Sequence, residues 1–287
     1  MNKDPIEGDT GTGEPEAHRR GRGIVPGIAA VIVIIVGGYL YLTYQDRQSD
    51  APVPVPQVVE QAPPEEPDAL VRNPVPEAAP PEPADPLAAL LPDPLPALGD
   101  SDAVMLKLAE LLLARPDLVA LVVPQEVIRR IVITVENIPA RNVPQNRLPL
   151  TQPEGKFAAV KQGEEFFLDE ANYARYTRYA ALMDAIDARR LVDAYVHLYP
   201  LFQNAYRELG YPKAYFNDRL MLAIDNLLAT PEVSGPVTLV QPAVFYRYAD
   251  PGLEALSAGQ KLLLRMGPDN ATVVKGKLAE LRKELMR

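Results

Sequence analysis

The densest run of side chains able to do chemistry is Asn217-Asp218-Arg219, placed where a helix is predicted to begin. There Asp218 offers a general base or a partner charge, and Arg219 offers a bidentate carboxylate clamp. The same triplet also suits a helix start structurally, with Asn217 or Asp218 as the cap and Arg219 paired to a neighbour. A second group lies downstream, where Tyr246 and Arg247 precede Asp250-Pro251 and Gln260 and Lys261 open another predicted helix. If the chain folds back so that these polar tips meet the first group, a small anion-friendly cleft results, suited to a peptide carboxylate. Asp218, Arg219, Tyr246, Arg247, Gln260 and Lys261 are therefore the expected binding residues, and no residue is assigned a catalytic role.

Most other site chemistry has no foothold. There is no cysteine, which excludes thiolate metal sites and cysteine nucleophiles. His197 is the one histidine outside the N-terminal tail, and no G-x-S-x-G elbow or H-E-x-x-H pair accompanies it, so neither a hydrolytic triad nor a metal site is expected. Glycine shows no phosphate-loop or dinucleotide spacing, so no cofactor is expected. Glu164 and Glu165 are adjacent in a predicted strand, point to opposite faces, and cannot act as a carboxylate pair. Tyr195, Tyr199 and Tyr206 share one helical stripe. Such amphipathic rings serve a sugar or peptide groove, and serve helix packing equally well.

The elements that must position these groups follow from periodicity and punctuation. A helix capped by Ser101 or Asp102 is predicted over about 103–114, ended by Pro116. A second is predicted from Pro124 at its first position to about Glu136. Residues 137–155 hold four prolines and read as a loop, and 157–168 as a hairpin turning at Gln162-Gly163. Helices then dominate: one capped by Asp169 to about Asp187, and one from Ala188 to about Leu209 that Pro200 should kink or split. Another covers 216–230, with Leu220, Ile224, Leu227 and Leu228 on one face, and Val237 begins a short strand. Ser257 with Gln260 forms a capping box, and Gly267-Pro268 turns the chain into a last helix.

Upstream of residue 100 the composition changes. Ile24 to Tyr44 carries no formal charge over 21 residues, which at about 1.5 Å per residue matches one hydrocarbon thickness. Arg19, Arg20 and Arg22 precede it and only Arg47 follows closely, so the N-terminus is expected in the cytoplasm and the remainder outside. No A-x-A cleavage site follows, which favours a retained anchor over a signal peptide. Residues 51–98 contain 15 prolines, eight acids and one basic side chain, Arg72, and should form an extended, self-repelling spacer. Residues 99–287 are balanced in charge, and a neutral domain is poor evidence for nucleic-acid binding. The expected organisation is a tail at 1–23, a span at 24–44, a periplasmic spacer at 45–99 and a domain at 100–287. The expected fold class is mainly α: a single-pass membrane helix, a disordered proline-rich linker, and a mostly helical domain with one small β-hairpin.

Several strings, in this order, carry a resemblance: LDEANYARY from Leu168, YPLFQNAYRELGYP from Tyr199, FNDRLMLAIDNLLATP from Phe216, the long string from Leu239 to Pro268, and the closing VKGKLAELRKEL. Together, behind an apolar anchor and a proline-rich spacer, they resemble the bacterial family named for domain of unknown function 3014. The resemblance implies a membrane-attached protein of Gram-negative-type bacteria and carries over no site residue. The expected role is a non-enzymatic scaffold or interaction module of the inner membrane, with its domain in the periplasm and envelope proteins or peptidoglycan as partners. The alternatives are a peptidoglycan-binding module and a cell-wall enzyme using acidic residues.

Overall fold

The computed structural model describes residues 70–77 and 85–287. The expected tail, the expected membrane span and most of the spacer lie outside these residues, among which no helix is long and apolar enough to cross a membrane. The described chain is mainly helical, with a small antiparallel sheet.

The folded unit reaches back past residue 100. A short helix α1, Pro86–Leu90, is capped by Asp85, whose carboxylate accepts from Leu87 N at 2.9 Å. Leu87 and Leu98 enter the main core, and Asp85 pairs with Arg190 at 2.9 Å. This part of the expected spacer thus packs on the domain, because it interleaves leucines with its prolines.

Helix α2, Asp102–Leu113, is followed by a single turn α3, Pro116–Val119. Neither expected cap of α2 acts on that helix. Ser101 Oγ donates to Leu98 O, while Asp102 accepts from Glu126 N and Val127 N at 2.8 and 2.9 Å. Asp102 thereby satisfies the free donors that open α4, Val127–Asn137. Helix α4 consequently starts after Pro124, where the sequence predicted Pro124 at its first position.

The hairpin β1, Ala159–Gln162, and β2, Glu165–Leu168, turns through Gly163 at φ +64. It grows into a four-stranded antiparallel sheet by adding β3, Thr238–Val240, and β4, Arg247–Tyr248, in the order β1-β2-β3-β4. Phe166 lies opposite Leu239, and Leu239 opposite Tyr248, so Leu168, Leu239 and Tyr248 close a small core of their own.

Between β2 and β3 run α5, Ala171–Ala185, α6, Ala188–Glu208, and α7, Phe216–Leu228. Helix α6 continues unbroken through Pro200, correcting the expected split. Pro200 is exposed, so the carbonyl left without its donor lies on the water side, where it costs least. After β4 come the turn α8, Pro251–Glu254, then α9, Ala258–Met266, with the predicted Ser257–Gln260 capping box, and α10, Pro268–Leu285. Helix α10 packs on α5, α6 and α7, and α4 packs on α6 and α7. Ile128, Val132, Leu198, Phe202, Phe216 and Ile224 lie in the shared core.

Candidate functional site

The best-built polar site sits at the start of α7. Phe216 is 1% exposed and stacks on Phe202, with ring centroids 5.7 Å apart. Tyr206 meets Phe216 edge-on at 5.7 Å. Neither Asn217 nor Asp218 caps the helix. Gln203 of α6 does so instead, its Oε1 accepting from Phe216 N at 2.9 Å and from Tyr199 OH at 2.8 Å, while its Nε2 donates to Ala214 O.

Asn217 and Asp218 are thereby free to hold another stretch of chain. That stretch is Arg72-Asn73-Pro74, within the expected spacer. Asp218 Oδ1 accepts from Asn73 N at 2.6 Å, Asn73 Nδ2 at 3.0 Å and Arg72 N at 3.1 Å. Its Oδ2 accepts from Arg72 N at 3.2 Å. Asn217, 1% exposed, donates through Nδ2 to Asn73 O at 3.0 Å and Pro74 O at 3.4 Å. Its Oδ1 accepts from Tyr195 OH at 3.0 Å, which fixes the orientation of the amide. A buried amide left unpaired costs about 1–3 kcal/mol, so this geometry is strongly preferred. Two adjacent side chains therefore grip two main-chain N–H groups and two carbonyls of an extended segment, and Pro76 of that segment is buried. The arrangement is main-chain recognition of one segment of the chain by another; an ionised carboxylate accepting from backbone N–H groups supplies the stronger, charge-assisted part.

Arg219 belongs to a neighbouring network. Its Nε lies 2.9 Å from Glu136 Oε2, and its Nη2 donates to Glu136 O. Tyr206 and Tyr211 hydroxyls donate to the same carboxylate at 3.1 and 3.0 Å. This matches the structural role weighed for Arg219, that of a paired neighbour, and leaves its guanidinium engaged within the domain.

The four downstream residues gather elsewhere. Tyr246 packs its ring on Phe157 and Phe166, with centroids 5.8 and 5.4 Å away. Arg247 lies in β4, and Lys261 Nζ donates to Glu254 O at 3.0 Å and to Glu254 Oε1 at 3.3 Å. Burial opposes the ionisation of Glu254. The N–H of Tyr248, Lys261 and the charge of Arg247 outweigh it and hold the carboxyl below its ordinary range. An acid thus already balances these two cations. Gln260 closes its capping box through Oε1 and donates through Nε2 to Asn226 O at 3.0 Å. Among the described residues no hydrogen bond or ion pair joins Arg219 to this group.

His197 is also engaged, Nε2 donating to Pro92 O at 3.0 Å. The tyrosine stripe positions rather than protrudes: Tyr195 holds Asn217, Tyr199 holds Gln203, and Tyr206 holds Glu136. Sequence reasoning missed Asn73, Glu136 and Gln203, since nothing local marks a residue whose partner lies tens of positions away.

Burial, assisted by Tyr199, pushes the Tyr195 phenol far above its ordinary value. Burial and the Glu136 carboxylate do the same to Tyr206. Both rings are neutral in the fold, so their contribution to stability is complete below a pH of about 10 and is lost as pH rises above it. In an alkaline titration followed by phenolate absorbance, Tyr195 and Tyr206 should ionise only as helical circular dichroism collapses. Ionisation of every tyrosine ahead of that collapse would refute the assignment.

Residues 127–282 match the family described as protein of unknown function (DUF3014). No curated protein and no solved structure matches the chain.

Proposed function

Since the chain belongs to this family of proteins of unknown function, we propose its role from its own residues: a non-enzymatic interaction module of the bacterial inner membrane. The apolar stretch Ile24–Tyr44 anchors it, and the domain works in the periplasm by gripping extended, proline-bearing polypeptide. One observation carries the reading, namely the capture of Arg72-Asn73-Pro74 by Asn217 and Asp218. Main-chain groups are common to all polypeptides, so they supply affinity without selectivity. Selectivity comes from Asn73, whose side chain adds a bond to Asp218, and from Pro74, which lacks an N–H and favours extended backbone before it. In this reading the spacer occupies the site in cis and a partner segment of like sequence replaces it in trans.

The test uses full-length protein and a labelled peptide copying residues 70–77. Asn73→Asp places a second carboxylate against Asp218 and should expel the cis segment, seen as faster tryptic cleavage after Arg72. The expelled form should bind the peptide about tenfold more tightly than wild type, a difference of roughly 1.4 kcal/mol. Adding Asp218→Ala should abolish that binding. Peptide binding indifferent to Asp218, or release of fragments from cell-wall sacculi by the purified protein, would overturn the reading. A C-terminal reporter active only in the cytosol would overturn the topology.

A further inference from the structure

Beside the Asn217 site lies a cavity of about 380 Å³ lined mainly by α2, α4, α5, α6, α7 and α10. Its wall includes Leu108 and Leu112 of α2, Leu198 and Phe202 of α6, Leu220 of α7 and Leu281 of α10. The volume falls among those of small-molecule sites, roughly 300–1,000 Å³, and exceeds the ~150 Å³ at which an apolar cavity already admits benzene.

The lining sets the chemistry. Every wall residue is apolar except Tyr195, and its hydroxyl donates to Asn217. Water held in a cavity needs two to four polar partners, roughly, and this wall offers none unengaged. The fitting occupant is therefore hydrocarbon.

The shape narrows it further. Leu191, Tyr195, Leu198 and Phe202 all line the wall, and the eleven residue steps from the first to the last span about 16 Å of helix, a length along which an extended hydrocarbon chain can lie. Many lining residues, Leu150, Ile186 and Leu191 among them, are only partly buried, so the cavity is open to water and a polar end group can remain solvated.

We propose that this cavity receives a hydrocarbon chain, the acyl part of a free fatty acid or of a membrane lipid. The site is separate from the peptide contacts of Asn217 and Asp218, and the inference does not depend on them.

The test mixes full-length protein with phosphatidylcholine vesicles carrying either a diazirine-bearing palmitic acid or a phosphatidylethanolamine with the diazirine in one acyl chain. After illumination, the labelled residues are located by mass spectrometry. Adducts on Met105, Leu108, Leu198 or Phe202 are expected, and the arm that gives them identifies the source, either arm supporting the proposal. Ala109→Phe, which fills the cavity from α2, should cut labelling about tenfold or more, because each excluded methylene forfeits a several-fold share of affinity. Ala194→Leu fills it from the opposite wall and serves should the first variant misfold. Labelling absent from the lining in both arms, or unchanged in a filled variant that melts like wild type, would overturn the proposal.

Discussion

Phe216→Ala should lower the stability of the domain by about 3–5 kcal/mol, near the top of the range for a truncated core aromatic. Phe216 is 1% exposed and lies between the stacked ring of Phe202 and the edge-on ring of Tyr206. It also lines the apolar cavity, so the space left by the ring merges with one already present and the surroundings have little to collapse onto. A second cost follows from position. Tyr195, which orients Asn217, packs against the same ring with centroids 6.4 Å apart, so the truncation loosens the peptide site as well as the core. For a domain of this size the loss corresponds to a fall in melting temperature of roughly 6–20 °C. Urea denaturation checks the figure, with Leu222→Ala on the same helix as the control. Leu222 is 48% exposed and should change stability by less than about 0.5 kcal/mol. A Phe216→Ala cost below about 1 kcal/mol would mean that the α7 start does not anchor the fold.

What could be read from the sequence divides along a physical line. Wherever an element is specified by contacts within a few positions, the letters carry it. The i, i+4 spacing of Leu220 and Ile224 marks α7, Ser257 and Gln260 mark the start of α9, and Gly163 marks the hairpin turn. Wherever a group is satisfied from far along the chain, they do not. Asp102 looked like the cap of its own helix and instead opens α4, 25 positions on, because two aligned N–H groups outbid any bond available nearby. The hairpin and a short strand from Val237 were legible but their union in one sheet was not, since β2 meets β3 only after three intervening helices have been packed.

The candidate site shows the same division. Asn217 and Asp218 stood out as polar residues at a helix start, with Asp218 read as a general base or partner charge beside an anion cleft and either residue as the helix cap. Their actual occupant comes from some 145 positions upstream, in a segment whose proline content suggested only reach. Arg219, Arg247 and Lys261 looked like an anion-binding set because counting charges along a chain cannot reveal which acids sit opposite. Glu136 and Glu254 already engage Arg219 and Lys261, and Arg247 lies near enough to Glu254 to lower its carboxyl further.

The second large effect is expected at Gly267, the residue between α9 and α10. Its backbone sits at φ +83 and ψ 164, a region that a side-chain-bearing residue occupies only at a cost of about 1–3 kcal/mol. A Cβ built there would also lie 2.4 to 2.7 Å from ring atoms of Tyr173, well inside contact distance. The main chain on both sides is held, because Asn270 Nδ2 donates to the backbone oxygens of Tyr173 at 2.9 Å and Met266 at 2.8 Å, tying the start of α10 to α5. Gly267→Ala therefore combines two independent penalties and should cost about 3 kcal/mol or more. The two can be separated by a double-mutant cycle with Tyr173→Ala. Removing the ring relieves the clash and leaves the backbone strain, so alanine at 267 should cost only about 1–3 kcal/mol in that background. If the cost is unchanged by removal of the ring, the steric half of the argument fails. Should Gly267→Ala be neutral in the wild type, the tight turn joining α9 to α10 is not as described.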